Sequence, residues 1–304
     1  MIKKCLYMYR HFLVADLIYH SIWGDFMKFA EIEYFDDNIG MITTWFNSIY
    51  YPYSVKEKLM IGAEGYKICL NIPKTSDKKS KERVLAKIKR FLLTNDIISV
   101  TGERFDGVYT SEGNVIKAAA SADMAGTAKE AVIIGGNREL VEIILCSVCP
   151  HVKYVSIFTG ENYVYNDVCR YLFTEYGITV QMMNSLRHEN LKNADIVINC
   201  AELTDNYDYL LKNGCIYFDI ANDKKRIRHI RKIRPDVRII NAVNVIFGGI
   251  KLTSEQAECA VYATDENFRR MAEGKADMKE KIKIIENIRM LGSIDKFYGF
   301  FDGV

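Results

Sequence analysis

No stretch of this 304-residue chain approaches the roughly 18–20 consecutive apolar residues that a membrane-spanning helix needs. The opening Met1-Ile2-Lys3-Lys4 runs into Arg10, His11 and Asp16 with no small-residue cleavage site, so a secretory leader is not expected. The formal net charge of +2 singles out no charged partner. The eight cysteines, at 5, 69, 146, 149, 169, 200, 215 and 259, are scattered, and several sit inside apolar runs. That pattern predicts buried thiols in a reducing cytoplasm and no disulfide framework. The five histidines show no ligand spacing. There is no Ser-His-Asp order and no H-E-x-x-H, so serine hydrolase and zinc protease chemistries have no support. Cys146-Ser147-Val148-Cys149-Pro150-His151 lacks the second C-x-x-C that a zinc site wants, and it closes a predicted helix. It reads as core packing, and no metal site is expected. Internal repeats and low-complexity segments are also missing.

What is present is an ordinary globular balance, 49% apolar and 26% charged, long enough for two domains. Residues 1–120 read as a smaller α+β domain with an aromatic start, including Trp23, Trp45, Phe46, Tyr50, Tyr51 and Tyr53. Within it, Lys67–Ile72 and Ile97–Val100 are predicted strands, and Lys81–Leu93 has helical spacing. Alanine-rich Val115–Ala128 is a predicted connecting helix. From Ala131 the order is regular. Strands are predicted near 131–134, 152–158, 178–183, 195–200, 214–220 and 237–241. Helices are predicted near 138–149, 163–176, 204–212 and 224–233. This alternation predicts an α/β domain over 125–250 with a doubly wound parallel sheet. Residues 253–304 read as C-terminal helices (Thr253–Arg270 and Lys275–Arg289) that pack back on the first domain.

The chemistry centres on Ala131-Val132-Ile133-Ile134-Gly135-Gly136-Asn137-Arg138. A buried strand, a glycine turn and a helix start together make a phosphate site. The turn lets backbone approach closely, and the helix end presents unpaired N–H groups and a partial positive charge. Against the G-x-G-x-x-G fingerprint, Asn137 stands at the second glycine and Leu140 at the third. Asn137 can keep the turn by adopting left-handed angles. Leu140 is expected to push the helix off the strand or the pyrophosphate. Glu161, about 20 residues beyond the third glycine position, is placed to bind a ribose 2′-hydroxyl, which favours NAD slightly over NADP.

Three further segments extend the pattern: Ala194-Asp195-Ile196-Val197-Ile198-Asn199-Cys200-Ala201, Gly214-Cys215-Ile216-Tyr217-Phe218-Asp219-Ile220-Ala221, and Phe247-Gly248-Gly249-Ile250. With the glycine turn, this order resembles the Rossmann-like NAD(P)-binding domain of the shikimate dehydrogenase and glutamyl-tRNA reductase group, and of acyl-carrier-protein reductases that share it. The resemblance spans about 120 residues and concerns this domain only. It implies an NAD(P)-dependent oxidoreductase with substrate entering between the domains. Gly135, Gly136, Asn137 and Arg138 would hold the pyrophosphate, and Cys200 and Ala201 would flank the nicotinamide. Lys74 is a loose match to the shikimate dehydrogenase lysine, with no matching Asp. Cys259 is a loose match to the acyl-carrier-protein reductase cysteine. The competing expectation is a Rossmann-like binding or regulatory module that has lost dinucleotide binding.

Lys224–Arg238 is densely basic, with Ile227, Ile230 and Ile233 recurring every three residues. It predicts an amphipathic helix with a solvated face that suits an acidic protein partner. No aromatic residue is interleaved to stack bases, so nucleic acid is not expected. The remaining expected partners are a small-molecule substrate and a second copy of the chain.

Overall fold

The computed structural model describes residues 27–35, 39–60, 63–126, 128–160, 162–186, 189–204, 206–247, 250–291 and 293–297. It divides into two compact units. One runs to Thr110 and includes Cys259–Glu266; the other comprises Ser111–Glu258 and Asn267–Val304.

In the first unit, β1 (Lys28–Tyr34), α1 (Met41–Tyr50), β2 (Tyr53–Met60), β3 (Glu64–Leu70), α2 (Lys78–Thr94), β4 (Ile97–Thr101) and β5 (Tyr109–Thr110) build a five-stranded sheet, ordered β2-β3-β1-β4-β5. β2 runs antiparallel at one edge, and the other pairings are parallel. Val84, Ile88 and Leu92 recur every four residues on α2, so they share one face. All three are buried against Ile32, Ile68, Leu70 and Val100. Burying each such side chain contributes about 1.5–3 kcal/mol. Asp77 starts the helix by accepting the Ser80 N–H at 2.9 Å, which satisfies a donor the helix itself cannot.

The second unit opens with α3 (Asn114–Ala125). It continues through β6 (Glu130–Ile134), α4 (Arg138–Val148), β7 (Tyr154–Phe158), α5 (Asn166–Tyr176), β8 (Val180–Met182), α6 (Glu189–Asn193), β9 (Ile196–Asn199), β10 (Ile216–Asp219), α7 (Lys224–Ile233) and β11 (Arg238–Ile240). The six strands pair in the order β11-β10-β9-β6-β7-β8, all parallel. Counted along the chain from β6, that order is 6-5-4-1-2-3, the doubly wound Rossmann arrangement. Central strands β6 and β9 are apolar almost throughout, as strands covered on both faces must be; Val132, Ile133, Ile134, Val197 and Ile198 are buried. The chain reverses its direction of winding between β6 and β9. In such sheets ligands bind outside the carboxyl ends of the strands at that point.

All six predicted strands form. The helix predicted near 204–212 does not; among the described residues there, a short turn, Asp208–Leu210, is helical. Tyr207 and Leu211 are buried, and Asp208 is tied to Arg226, so side-chain contacts shape this connection. Beyond β11 lie β12 (Ala242–Phe247) and β13 (Ile250–Thr253). Predicted helix Thr253–Arg270 divides into α8 (Ser254–Thr264) and α9 (Glu266–Ala272). α10 (Met278–Leu291) and β14 (Ser293–Phe297) follow, with β13-β12-β14 forming a small antiparallel sheet. Of the C-terminal helices, Cys259–Glu266 belongs to the first unit, and α10 to the second. Ile282, Ile285 and Ile288 of α10 are buried. Arg289 pairs with Asp123 of α3 at 2.8 Å, and Lys281 pairs with Glu142 of α4. These contacts explain why α10 packs within the second unit.

Candidate nucleotide site at the switch point

β6 ends in two successive left-handed glycines, Gly135 at φ 69° and Gly136 at φ 93°. Side-chain-bearing residues rarely adopt these angles. The turn also leaves no room: a Cβ on Gly135 would collide with the Ala201 Cβ, and one on Gly136 would lie 2.8 Å from the Cys200 Cβ. The structure therefore brings Gly135, Gly136, Cys200 and Ala201 together at the carboxyl ends of β6 and β9. Backbone bonds fix the approach, with Gly135 N–H donating to Phe158 O at 2.7 Å and Cys200 N–H to Ile134 O at 2.8 Å.

Asn137 behaves differently from expectation. Its backbone is extended, φ −76° and ψ 165°, and its side chain accepts the Leu140 N–H at 2.9 Å. It caps α4 and does not take part in the left-handed turn. Leu140 is buried, so its side chain belongs to the packing of the helix. The cap leaves the N–H groups of Arg138 and Glu139 without a partner inside the helix. The Arg138 side chain is 60% exposed and pairs, among the described residues, with Glu142, one turn on, at 3.9 Å.

Behind the turn lies a buried polar network that sequence reading missed. Asn199, closing β9, donates to Asp219 at the end of β10 at 2.8 Å, and Asp219 accepts the Asp223 N–H at 2.9 Å. Tyr207 donates to Asn199 Oδ1 at 3.4 Å and lies 3.1 Å from the Tyr217 hydroxyl. Arg226 donates to Asp208 at 2.7 Å and to the Leu203 carbonyl, and stacks 4.3 Å over the Tyr207 ring. Burial pushes the Asp219 carboxyl above its ordinary value, against the lowering by the Asn199 amide and the Asp223 N–H. The network anchors the segment after β9, and that segment carries Cys200 and Ala201 to the glycines. The available signal was a polar residue ending each apolar strand: Asn199 in Ile196-Val197-Ile198-Asn199 and Asp219 in Ile216-Tyr217-Phe218-Asp219.

The other predicted residues lie elsewhere. Glu161 falls outside the described residues. Lys74 is exposed on a turn of the first unit. Cys259, also in the first unit, is fully buried with Phe29, Ala63, Ala260 and Ala263. Its carbonyl accepts the Ser99 hydroxyl at 3.0 Å. The side chain is packed among these neighbours. Cys146 and Cys149 are buried as expected, and burial pushes the Cys146 thiol up to about 12 and Cys149 further still. Among the described residues no group of side chains could hold a metal, and no helix is long and apolar enough to cross a membrane. The basic segment does form a helix, α7, but two of its cations are used internally: Arg226 is buried, and Arg234 binds Asp236 at 2.7 Å.

No protein-family model and no curated protein matches this sequence. Among solved structures, the chain is similar to L-tryptophan dehydrogenase from Nostoc punctiforme, at 13% identity over 87% of this chain and 82% of that one, TM-score 0.35. It is similar to 5-ketofructose reductase of Gluconobacter sp. strain CHM43, at 10% identity over 87% and 100%, TM-score 0.36. It is also similar to aspartate transcarbamoylase from Trypanosoma cruzi, at 10% identity over 84% and 81%, TM-score 0.41. These likenesses span two reaction classes, and at such scores they carry no argument about activity. The Rossmann assignment rests on the strand order and directions themselves.

Proposed function

We propose that the second unit binds a nicotinamide dinucleotide and that the protein is an NAD(P)-dependent oxidoreductase acting on a small molecule. The observation that carries this reading is the paired left-handed glycine turn between β6 and α4 at the switch point. The residues fit the group. Two glycines allow close backbone approach, the N–H groups of Arg138 and Glu139 point out of the helix end, and the Arg138 guanidinium is exposed beside them. Gly135, Gly136, Asn137 and Arg138 would hold the pyrophosphate, Glu161 the ribose, and Cys200 and Ala201 the nicotinamide side. The bound cofactor would supply hydride transfer. The test is calorimetric titration with NAD, NADH, NADP and NADPH. Micromolar binding that weakens about tenfold or more in Arg138→Glu supports the reading. Arg138 is the better probe because a side chain at Gly135 would disturb folding through its contact with Ala201.

One observation favours a second reading. Asn137 already occupies the Leu140 N–H, and Glu139 already places a carboxylate in the first turn of α4, so the protein itself complements this helix end. The unit would then be a binding or regulatory module without a dinucleotide. Failure of all four nucleotides to bind would overturn the first reading and favour this one.

A further inference from the structure

We propose that α1 is a self-association face, packed in solution against α1 of a second copy of this chain. The inference is independent of the nucleotide reading, because every residue it uses lies in the first unit.

In Met41-Ile42-Thr43-Thr44-Trp45-Phe46-Asn47-Ser48-Ile49-Tyr50 the large apolar residues fall in pairs four apart, which places them on one stripe of the helix. A helix on a single soluble domain turns such a stripe inward. Here the inward residues are the small polar ones: Thr44 is 5% exposed and Ser48 is fully buried. Polar bonds hold that side down. Arg83 donates to Ser48 Oγ at 2.9 Å, and Asn47 donates to the Asn71 carbonyl at 2.9 Å. The apolar stripe is exposed among the described residues: Met41 is 86% exposed, Ile42 84%, Trp45 53%, Phe46 44%, and Tyr50 and Tyr51 just over 60%.

Three points identify the occupant as a second copy. The first is area. At about 200 Å² for a large side chain, these fractions leave roughly 800 Å² exposed, close to the roughly 800 Å² each partner contributes to a stable interface. The composition also fits, since Trp, Tyr, Phe and Met dominate interface centres. The second is charge. α1 carries no charged residue, so two copies meet without burying like charges. The groove of about 350 Å³ beside it is lined by Met41, Ile42 and Trp45 with Asp77, Lys79 and Arg83. A rim bearing both signs can pair with itself across a two-fold axis, where residue i meets j and j meets i. The third is the neighbouring sheet edge. β2 has an irregular register between Val55 and Glu57 and the run Lys56-Glu57-Lys58, devices that block strand-to-strand pairing. That edge therefore does not compete with the α1 face.

The test is sedimentation velocity of the full chain from about 1 to about 100 μM, with Ile42→Asp and Trp45→Glu as interface variants and Phe173→Asp as the control. Phe173 is an exposed aromatic residue of the other unit, 61% exposed. All three sites are exposed, and circular dichroism checks the fold. The expected result is a dimer that weakens about 100-fold or more in both interface variants and is unchanged in the control. A wild-type chain that stays monomeric at the highest concentration overturns the proposal, as does a dimer that survives both variants. A monomer that sediments with vesicles containing anionic phospholipid overturns it in favour of a membrane-facing role for the same stripe.

Discussion

Helices α1 and α7 are both ten residues long, both amphipathic, and opposite in orientation. α7 buries Ile227 and Ile230 and sets Arg228 and Lys232 in water. α1 buries Thr44 and Ser48 and sets Met41, Ile42 and Trp45 in water. Helical periodicity reveals that a stripe exists. Which face meets the core depends on what the neighbouring elements offer. Against α7 lies the apolar face of a parallel sheet, with Tyr217, Val237 and Ile239 in the same buried cluster as its isoleucines. Beside α1 lie the Arg83 guanidinium and the Asn71 carbonyl, which suit hydroxyl and amide groups.

The largest effect that would break this comparison is on α7. Arg226 and Asp208 form an ion pair with side chains only 7% and 3% exposed. Arg226→Ala removes the guanidinium from the buried Asp208 carboxylate, with the His229 ring 3.8 Å away, and should cost about 3–5 kcal/mol in urea unfolding. Next is a matched pair of truncations. Ile230→Ala removes a fully buried side chain and should cost about 2–5 kcal/mol. Ile42→Ala, on the exposed stripe of α1, should change the stability of the isolated chain by less than about 0.5 kcal/mol. Equal losses at the two isoleucines would show that α1 is not turned outward. Asn137→Ala removes the cap of a third helix, and should lower stability by about 1 kcal/mol whichever reading of the nucleotide site holds.

The smallest effect is in the acid limb. Burial raises the Asp195 carboxyl, but Lys212 at 2.5 Å and the N–H groups of Lys129 and Glu130 outweigh it and hold the group below its ordinary value. A depressed carboxyl contributes stability above its unfolded value, and that contribution is lost as pH falls through the folded value. Asp195→Asn should therefore flatten the dependence of stability on pH below about 4, measured as midpoints of thermal unfolding. An unchanged slope would show that the Lys212 pair is not felt by the folded state.

Much of the second unit was legible because its strands are short apolar runs, most of them separated by helices. All six strands and the glycine turn follow from that pattern. The connection after β9 was not legible. Its conformation depends on Arg226 reaching Asp208 and Leu203, contacts between residues about 20 apart that no local periodicity carries. The same holds for Asn137. Its residue type is compatible with a left-handed turn or with a cap, and the choice was made by the Leu140 N–H.

By itself the sequence determined the six-strand α/β order, the glycine turn at the end of β6, and the burial of Cys146 and Cys149, since these follow from local period, turn chemistry and apolar content. Only the tertiary structure decided that Cys200 and Ala201 close on the glycines, that Asp219 is sealed in a polar network, that Cys259 is packed away, and that α1 faces outward. Each of those depends on which distant group lies opposite. A side chain's solvation and hydrogen bonding are properties of the assembled pair, and no single segment of the chain contains both members.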